Sequence, residues 1–240
     1  IRVFGIVQGV GFRPTVKRHA DACDIAGSVS NKGPYVEIFA EGSEECVHSF
    51  IKQIQEEPPK RAVILKLDVE NVESGEDGIH KVESETDSKE KFQIIESEKE
   101  EGEIFVSPDI AICPECKKEL YDKNDRRYLH PFINCTCCGP RLTILDSMPY
   151  DRVRTSMGEF PMCEKCEWEY THAKTRRFDA QPVCCNECGP EVYLLGRPER
   201  GADAIRYTRK MISEGGIVAI KGIGGFHLCC DASNETAVRK

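Results

Sequence analysis

The sequence predicts an α+β chain in three parts: a split β-α-β-β-α-β unit, a duplicated four-cysteine unit, and the beginning of an α/β segment. Three observations lead to this prediction. Apolar runs alternate between strand and helix patterns in the first part, eight cysteines recur at a fixed spacing in the second, and a helix pattern precedes a β-branched run in the third. With 240 residues, the chain has room for one to three domains.

The first part opens with an apolar strand and continues with alternating helices and strands. Pro14 favours the first turn of a helix, and Ser43 is a suitable N-cap for a second helix. The predicted elements are, in order, a strand at 1–7, a helix at 14–23, strands at 27–30 and 35–39, a helix from 43 to about 55, and strands at 63–69 and 92–95. This order is typical of the ferredoxin-like fold.

A glycine-rich loop joins the first strand to the first helix and consists of Gln8, Gly9, Val10, Gly11, Phe12 and Arg13. Its two glycines let successive backbone N–H groups converge, and the N-terminus of the following helix adds its positive end. The Arg13 guanidinium can offer a bidentate fork to a phosphoryl group. The loop is therefore a candidate phosphate site; a plain tight turn beside an ordinary surface arginine is the alternative interpretation.

Eight cysteines form two units of matching spacing. Shifting the sequence by 50 residues, from Cys113 to Cys163, superposes the two units without a gap. Cys137 then aligns with Glu187 and Cys184 with Asn134, so we expect neither cysteine to be a ligand. The candidate ligands are Cys113, Cys116, Cys135 and Cys138 in the first unit and Cys163, Cys166, Cys185 and Cys188 in the second.

Paired Cys-x-x-Cys motifs at this spacing predict two structural zinc ions, each held by four thiolates. A disulfide framework is the alternative, but the matched pairs favour a metal. The remaining thiols fit a reducing cytoplasm, and they include Cys23, Cys46, Cys229 and Cys230. Each ion is expected between the two pairs of one unit, with crossed pairing between the units as a second arrangement.

The charge of the chain bears on its partners. A formal net charge of −8 disfavours generic nucleic-acid binding, and no apolar run approaches the length that crosses a bilayer. We therefore expect neither a nucleic-acid nor a membrane partner. The arginines of the cysteine units could form a local basic patch, but we expect them to cap carbonyls and pair with nearby acids; they are Arg126, Arg127, Arg141, Arg176 and Arg177.

Changes in composition mark the domain boundaries. An acidic stretch at 70–103 is predicted to form a solvated loop and then a linker. The predicted boundaries are a first domain at 1–97, a linker at 98–107, cysteine repeats at 108–142 and 158–192 within a region 108–192, and a last part at 200–240. That last part carries a predicted helix at 201–214, a buried strand at 217–221 and a glycine-rich loop at 222–228. We expect the chain to be a piece of a longer protein.

Residues 1–97 resemble the acylphosphatase family. The motif is Gly5-Ile-Val-Gln-Gly-Val-Gly-Phe-Arg13, with Gly27-Ser-Val-Ser-Asn31 and Val36-Glu-Ile downstream. The resemblance implies that Arg13 binds the phosphoryl group and that Asn31 positions the attacking water. From the residues alone, Asn31 would be interpreted as a turn residue.

The order of the whole chain resembles the HypF family of carbamoyltransferases, which act in [NiFe]-hydrogenase maturation. The segments that carry this resemblance are 126–141, 176–182 and 215–228. It implies that 200–240 begin a YrdC-like nucleotide-binding domain, so that the full fold is a ferredoxin-like acylphosphatase domain, a duplicated zinc-finger region and an α/β YrdC-like domain.

The same resemblance implies a cytoplasmic enzyme that hydrolyses carbamoyl phosphate at the acylphosphatase-like site. In the full-length protein, ATP and magnesium would then convert the carbamate to carbamoyl adenylate, and the carbamoyl group would pass to the C-terminal cysteine of HypE to become a cyanide ligand. This chain alone is expected to retain the hydrolysis at most. A zinc-dependent docking module on an inactive acylphosphatase scaffold is the alternative function.

Overall fold

The computed structural model describes residues 1–72, 91–102 and 105–240. It has the predicted α+β architecture, with a ferredoxin-like sheet and two helices, a pair of cysteine repeats, and two helices with a hairpin between them at the end. Most of the acidic stretch predicted as a solvated loop, and residues 103 and 104 of the predicted linker, lie outside the described residues.

The first part is built on a five-stranded sheet. Its strands are β1 (Arg2–Ile6), β2 (Ala26–Asn31), β3 (Tyr35–Glu41), β4 (Val63–Asp68) and β5 (Phe92–Ile94). The order across the sheet is β4-β1-β3-β2-β5. The pairings among β1 to β4 are antiparallel, as in the ferredoxin-like pattern, and β5 adds to the edge of β2 in parallel.

Two helices, α1 (Phe12–Ala22) and α2 (Glu44–Glu56), pack against this sheet. The predicted cap of α2 is confirmed, because the Ser43 side chain accepts a hydrogen bond from the backbone N–H of Cys46. The helix α1 begins two residues before the predicted Pro14, directly after Gly11 in a left-handed conformation. The shared core includes Val3, Val16, Ala20, Val29, Ile38, Phe50, Ile54 and Phe92. Each large apolar side chain buried there stabilises the fold by about 1.5–3 kcal/mol.

Each cysteine repeat contains one short helix, α3 (Pro114–Tyr121) in the first and α4 (Glu164–Thr171) in the second. The first cysteine of each repeat is the N-cap of its helix. Short 3-10 helices lie at Leu142–Ile144, Arg152–Arg154 and Ser156–Glu159. The small apolar clusters of the repeats are built around the cysteines themselves, so that a bound metal would supply stability that such cores cannot.

The last part consists of α5 (Gly201–Ser213), a hairpin of β6 (Val218–Lys221) and β7 (Phe226–Cys229), and α6 (Glu235–Val238). The prediction that 217–221 form a buried strand is wrong for this chain: Ile220 is 40% exposed. Within the described residues, β6 pairs with β7 alone, and Ile217 is also 42% exposed. The predicted glycine-rich loop at 222–228 is shorter than expected because β7 begins within it. No helix among the described residues is long and apolar enough to cross a bilayer.

Candidate active site and metal centres

The glycine-rich loop follows β1 and leads into α1. Gly9 and Gly11 have φ angles of 72° and 80°, in the region that favours glycine. A Cβ atom at Gly11 would lie 2.7 Å from Cγ2 of Thr136 in the first cysteine repeat. Glycine is therefore required here twice over, for its backbone conformation and for the close approach of the repeat.

Arg13 lies beside the loop, as the sequence predicts, and its guanidinium contacts two carboxylates that the sequence did not reveal. Its Nη1 lies 2.9 Å from Oδ1 of Asp151 and 3.1 Å from Oγ of Ser97. Its Nε lies 3.1 Å from Oδ2 of Asp179. Burial by itself would lower the pKa of Arg13, but Asp179 and Asp151 outweigh it and raise that pKa. The Arg13 guanidinium is therefore placed beside the loop as predicted, but its N–H groups are directed at carboxylates.

Asn31 ends β2 and faces the same cavity. Asn31 is only 1% exposed, and its side-chain Oδ1 has no hydrogen-bond partner among the described residues. A buried acceptor of this kind is open to a hydrogen bond from a water or a ligand. Asn31 and Arg13 both line the cavity together with the loop, so the structure brings the three predicted elements of the site to one place.

Both cysteine repeats close over the loop. In the first, Arg141 donates from Nε to the carbonyl of Gly9 and from Nη2 to the carbonyl of Thr136 at 3.0 Å. Between the repeats, the backbone N–H of Tyr150 donates to Oε1 of Gln8 at 3.3 Å. The cavity that remains has a volume of about 20 Å³, which is enough for one water molecule.

Asp179 and Asp151 were not predicted from the sequence, and Asp179 lies at a position where the two repeats differ. The 50-residue shift aligns Asp179 with Leu129, and it aligns Arg141 with Glu191. Most positions between the cysteines differ between the copies, however, so this comparison alone would not have singled out Asp179. Asp151 lies between the repeats and carries no such signal.

The eight predicted ligand cysteines form two groups, each made within one repeat. They are Cys113, Cys116, Cys135 and Cys138, and Cys163, Cys166, Cys185 and Cys188, with the sulfur atoms of each group within 4.8 Å of one another. Backbone N–H groups point at the sulfurs, as from Cys137 to Cys135 Sγ at 3.3 Å and from Glu187 to Cys185 Sγ at 3.4 Å. Four convergent thiolates with no further side-chain ligand fit two zinc ions. Cys137 and Cys184 lie outside both groups.

Arginines connect the two metal groups crosswise. Arg126 in the first repeat lies 3.3 Å from Sγ of Cys166 in the second and pairs with Glu169 on α4. Arg176 in the second repeat lies 3.6 Å from Sγ of Cys116 in the first. It also pairs with Glu119 on α3 at 2.6 Å, and the neighbouring Arg127 and Arg177 repeat the exchange. The expected pairing of these arginines with acids is confirmed, and their contacts with the thiolates are an addition.

Burial by itself would raise the pKa of Glu119 and of Glu169, but the arginines outweigh it and lower both pKa values. Each carboxylate therefore stays ionised between the arginines that approach the sulfurs. The pattern ties each repeat to the metal group of the other, so the two repeats form one interlocked unit.

A cysteine, a histidine and an asparagine also lie in line between the repeats. Nε2 of His130 is 3.2 Å from Sγ of Cys184, and Nδ1 is 2.9 Å from Oδ1 of Asn186. Burial raises the pKa of the Cys184 thiol to about 12 and lowers the pKa of His130 to about 4. Because these shifts disfavour a thiolate at Cys184 and each group is 1% exposed, the trio is suited to holding the repeats together and not to nucleophilic attack.

A ferredoxin-like domain with a glycine loop and a buried arginine, closed over by two four-thiolate repeats, defines an acylphosphatase-type domain joined to zinc fingers. Family models match accordingly: acylphosphatase over residues 1–94, the HypF finger over 112–145 and 162–195, and a Sua5/YciO/YrdC model described as telomere recombination over 210–240. An acylphosphatase of Caldivirga maquilingensis is 46% identical over 77 residues, which are 31% of this chain and 80% of that protein.

The match to longer proteins identifies the family. A carbamoyltransferase HypF of Rhodobacter capsulatus is 41% identical over 99% of this chain and 30% of its own length, and a probable carbamoyltransferase HypF of Methanocaldococcus jannaschii is 48% identical over the same shares. A crystal structure of full-length HypF in a phosphate- and nucleotide-bound form matches 99% of this chain and 30% of its own, with 44% identity and a TM-score of 0.84. The chain belongs to the HypF family, and it spans about 30% of the length of these relatives.

Proposed function

We propose that the site around Arg13 and Asn31 hydrolyses carbamoyl phosphate as one step of a carbamoyltransferase of hydrogenase maturation. The observation that carries this proposal is the unpartnered Oδ1 of Asn31, buried in a cavity that it shares with the loop and Arg13. An acceptor left open in a water-sized cavity beside a phosphate-binding loop is suited to hold the attacking water.

The proposed hydrolysis requires few further groups from the protein. Backbone N–H groups of Gln8–Phe12, the N-terminus of α1 and Arg13 would bind the phosphoryl oxygens and stabilise charge on them. Water held by Asn31 attacks phosphorus, the bond from phosphorus to the carbamoyl oxygen breaks, and carbamate leaves with the electron pair. Both protons of the water remain on the phosphate, which departs as dihydrogen phosphate. Because an acyl phosphate is already activated, orientation and charge stabilisation provide the main catalytic contribution.

The role of the zinc fingers in this proposal is structural. The four thiolates of each group would fill a tetrahedral shell and leave no position for a substrate. In the longer protein, the carbamate would be converted with ATP and magnesium to carbamoyl adenylate at the YrdC-like domain. Transfer to the C-terminal cysteine of HypE would follow, and these later steps depend on residues outside this chain.

One observation favours a second function, a zinc-dependent docking module on an acylphosphatase scaffold that no longer turns over. Two carboxylates hold the guanidinium of Arg13, and the cavity has the volume of a single water molecule. In this arrangement a substrate must displace a carboxylate before Arg13 can bind its phosphoryl group. A site that had lapsed would show the same contacts.

Phosphate release from carbamoyl phosphate, compared with acetyl phosphate, tests the two functions. We expect turnover of carbamoyl phosphate by the zinc-loaded chain and its loss in Arg13→Ala, because the substrate then lacks the guanidinium that binds its phosphoryl group. Arg18→Ala is the matched control, since Arg18 lies on the same helix and its side chain bonds Thr15 at the surface. Equal turnover in the Arg13 and Arg18 variants contradicts the hydrolytic proposal, and an inactive wild-type chain favours the docking module.

A further inference from the structure

We propose that Asp179, contributed by the second zinc repeat, is the positioning residue of the acyl phosphate site: it orients the Arg13 guanidinium for the phosphoryl group. This inference rests on the proposed hydrolysis. It makes the site a product of two parts of the chain, because Arg13 belongs to the ferredoxin-like domain and Asp179 to a cysteine repeat.

The contacts of Arg13 divide its five N–H groups unequally. Asp179 takes one side of the guanidinium, with Oδ2 3.1 Å from Nε and Oδ1 3.4 Å from Nη2. Asp151 and Ser97 both take Nη1, at 2.9 and 3.1 Å. A side-on carboxylate fixes the plane of the guanidinium, and the opposite end remains the place where a phosphoryl group can bind.

Asp179 is itself held in place. Its side chain is 11% exposed, and its Oδ1 accepts from Nε2 of Gln181 at 2.8 Å. The Gln181 amide is fixed in turn, since its Oε1 accepts from the hydroxyl of Tyr170 at 3.1 Å and from the backbone N–H of Arg152 at 2.7 Å. A carboxylate supported in this way is suited to orient another side chain.

The fold of the repeat does not require a carboxylate at this position. Leu129 occupies the equivalent place in the first repeat, with φ 54° against 55° for Asp179. The backbone N–H of Leu129 donates to Leu120 at 2.9 Å, just as that of Asp179 donates to Tyr170 at 2.9 Å. Two copies with the same backbone geometry therefore differ in the one side chain that reaches Arg13, and this difference assigns the carboxylate to the site.

Asp151 is the carboxylate that a phosphoryl group can displace from Arg13. It has a second cation, because Nη1 of Arg154 lies 3.0 Å from its Oδ2, and its side chain is 18% exposed. Leaving Arg13 therefore costs Asp151 less than it would cost Asp179, for which Arg13 is the ion-pair partner that the structure shows. We infer that the phosphoryl group binds at Nη1 in exchange for Asp151.

Two isosteric substitutions in the whole zinc-loaded chain separate these roles. Asp179→Asn is expected to lower kcat for carbamoyl phosphate by about 10- to 100-fold, the loss typical of a supporting partner, and to weaken binding of inorganic phosphate. Asp151→Asn is expected to bind inorganic phosphate more tightly, because a competing charge is removed. Asp179→Leu, which places the residue of the first repeat in the second, should reproduce the loss.

Isothermal titration with inorganic phosphate and steady-state phosphate release supply the two readouts, and zinc content confirms that each variant keeps both ions. Tighter phosphate binding in Asp179→Asn with kcat unchanged or raised would show that Asp179 competes for Arg13, and would overturn the proposal. If the wild-type chain binds phosphate through Arg13 but turns nothing over, the hydrolytic function fails while Asp179 is still judged on phosphate affinity. A chain that does neither overturns both.

Discussion

Arg141 provides the sharpest test of how the first zinc repeat is attached to the glycine-rich loop. It is 2% exposed and donates to backbone carbonyls on both sides of the contact. For the carbonyls of Gly9 and Thr136, it is the sole donor shown among the described residues. Truncation to alanine leaves both without a partner at a partly buried contact. Each unpaired carbonyl costs about 1–2 kcal/mol, so Arg141→Ala is expected to lower the free energy of unfolding by about 2–4 kcal/mol.

That loss is a large share of the stability of about 5–15 kcal/mol of a typical domain, and urea unfolding of the zinc-loaded chain followed by circular dichroism can measure it. Arg206→Ala is the matched control: its side chain is 59% exposed and pairs with Asp203, so a change within about 0.5 kcal/mol is expected. Arg141→Lys should recover little, because one ammonium group cannot reach the carbonyls of Gly9 and Thr136 together. An Arg141→Ala chain as stable as the Arg206 variant would refute the reasoning.

Two further predictions follow from the contacts between the repeats. Arg126 lies in the first repeat, but Arg126→Ala should weaken zinc binding in the second by about 10- to 100-fold, because Arg126 donates to Cys166 and pairs with Glu169. Chelator competition with mass-spectrometric mapping of alkylated thiols should then find Cys163 and Cys166 newly reactive. Earlier reaction of Cys113 and Cys116 would contradict this prediction. Burial lowers the pKa of His130 to about 4 in the folded chain, whereas the unfolded chain protonates this imidazole below about pH 6.5. The free energy of unfolding should therefore fall as the pH drops from about 6.5 towards 4, by roughly 3 kcal/mol in total. His130→Gln should show a shallower decline over the same range, and equal slopes would exclude His130 as the cause.

The fold and the metal groups follow from patterns that act over short distances in the sequence. Apolar periodicity and the Ser43 cap predicted the first domain, and a constant shift between Cys113 and Cys163 separated the eight candidate ligands from the other cysteines. Pairing within each unit was the simpler of the two arrangements that the sequence left open. The strand at 217–221 was predicted to be buried because a β-branched run indicates a covered strand, whereas burial depends on what packs against it. Local patterns identify an element, but they do not identify its neighbours.

The contacts of Arg13 show the same limit at the site. Asp151 and Asp179 are far from Arg13 in the sequence, and they approach it only because the repeats fold back over the loop. Nothing in the spacing of acids along the chain distinguishes these two from the others, and the mismatch between Asp179 and Leu129 is one of many between the two copies. The prediction of a free phosphate fork was therefore incomplete: it described the donor correctly and omitted the groups that hold it.

The duplication gives these contacts a common origin. Two copies of one unit can keep identical metal groups while the positions that face the rest of the protein diverge. Here the first copy carries Arg141 where the second has Glu191, and the second carries Asp179 where the first has Leu129. Arg141 holds the loop from one side and Asp179 holds Arg13 from the other. Because the copies are also interlocked through their arginines and thiolates, a change in one four-cysteine group is expected to reach the site around Arg13 through both contacts.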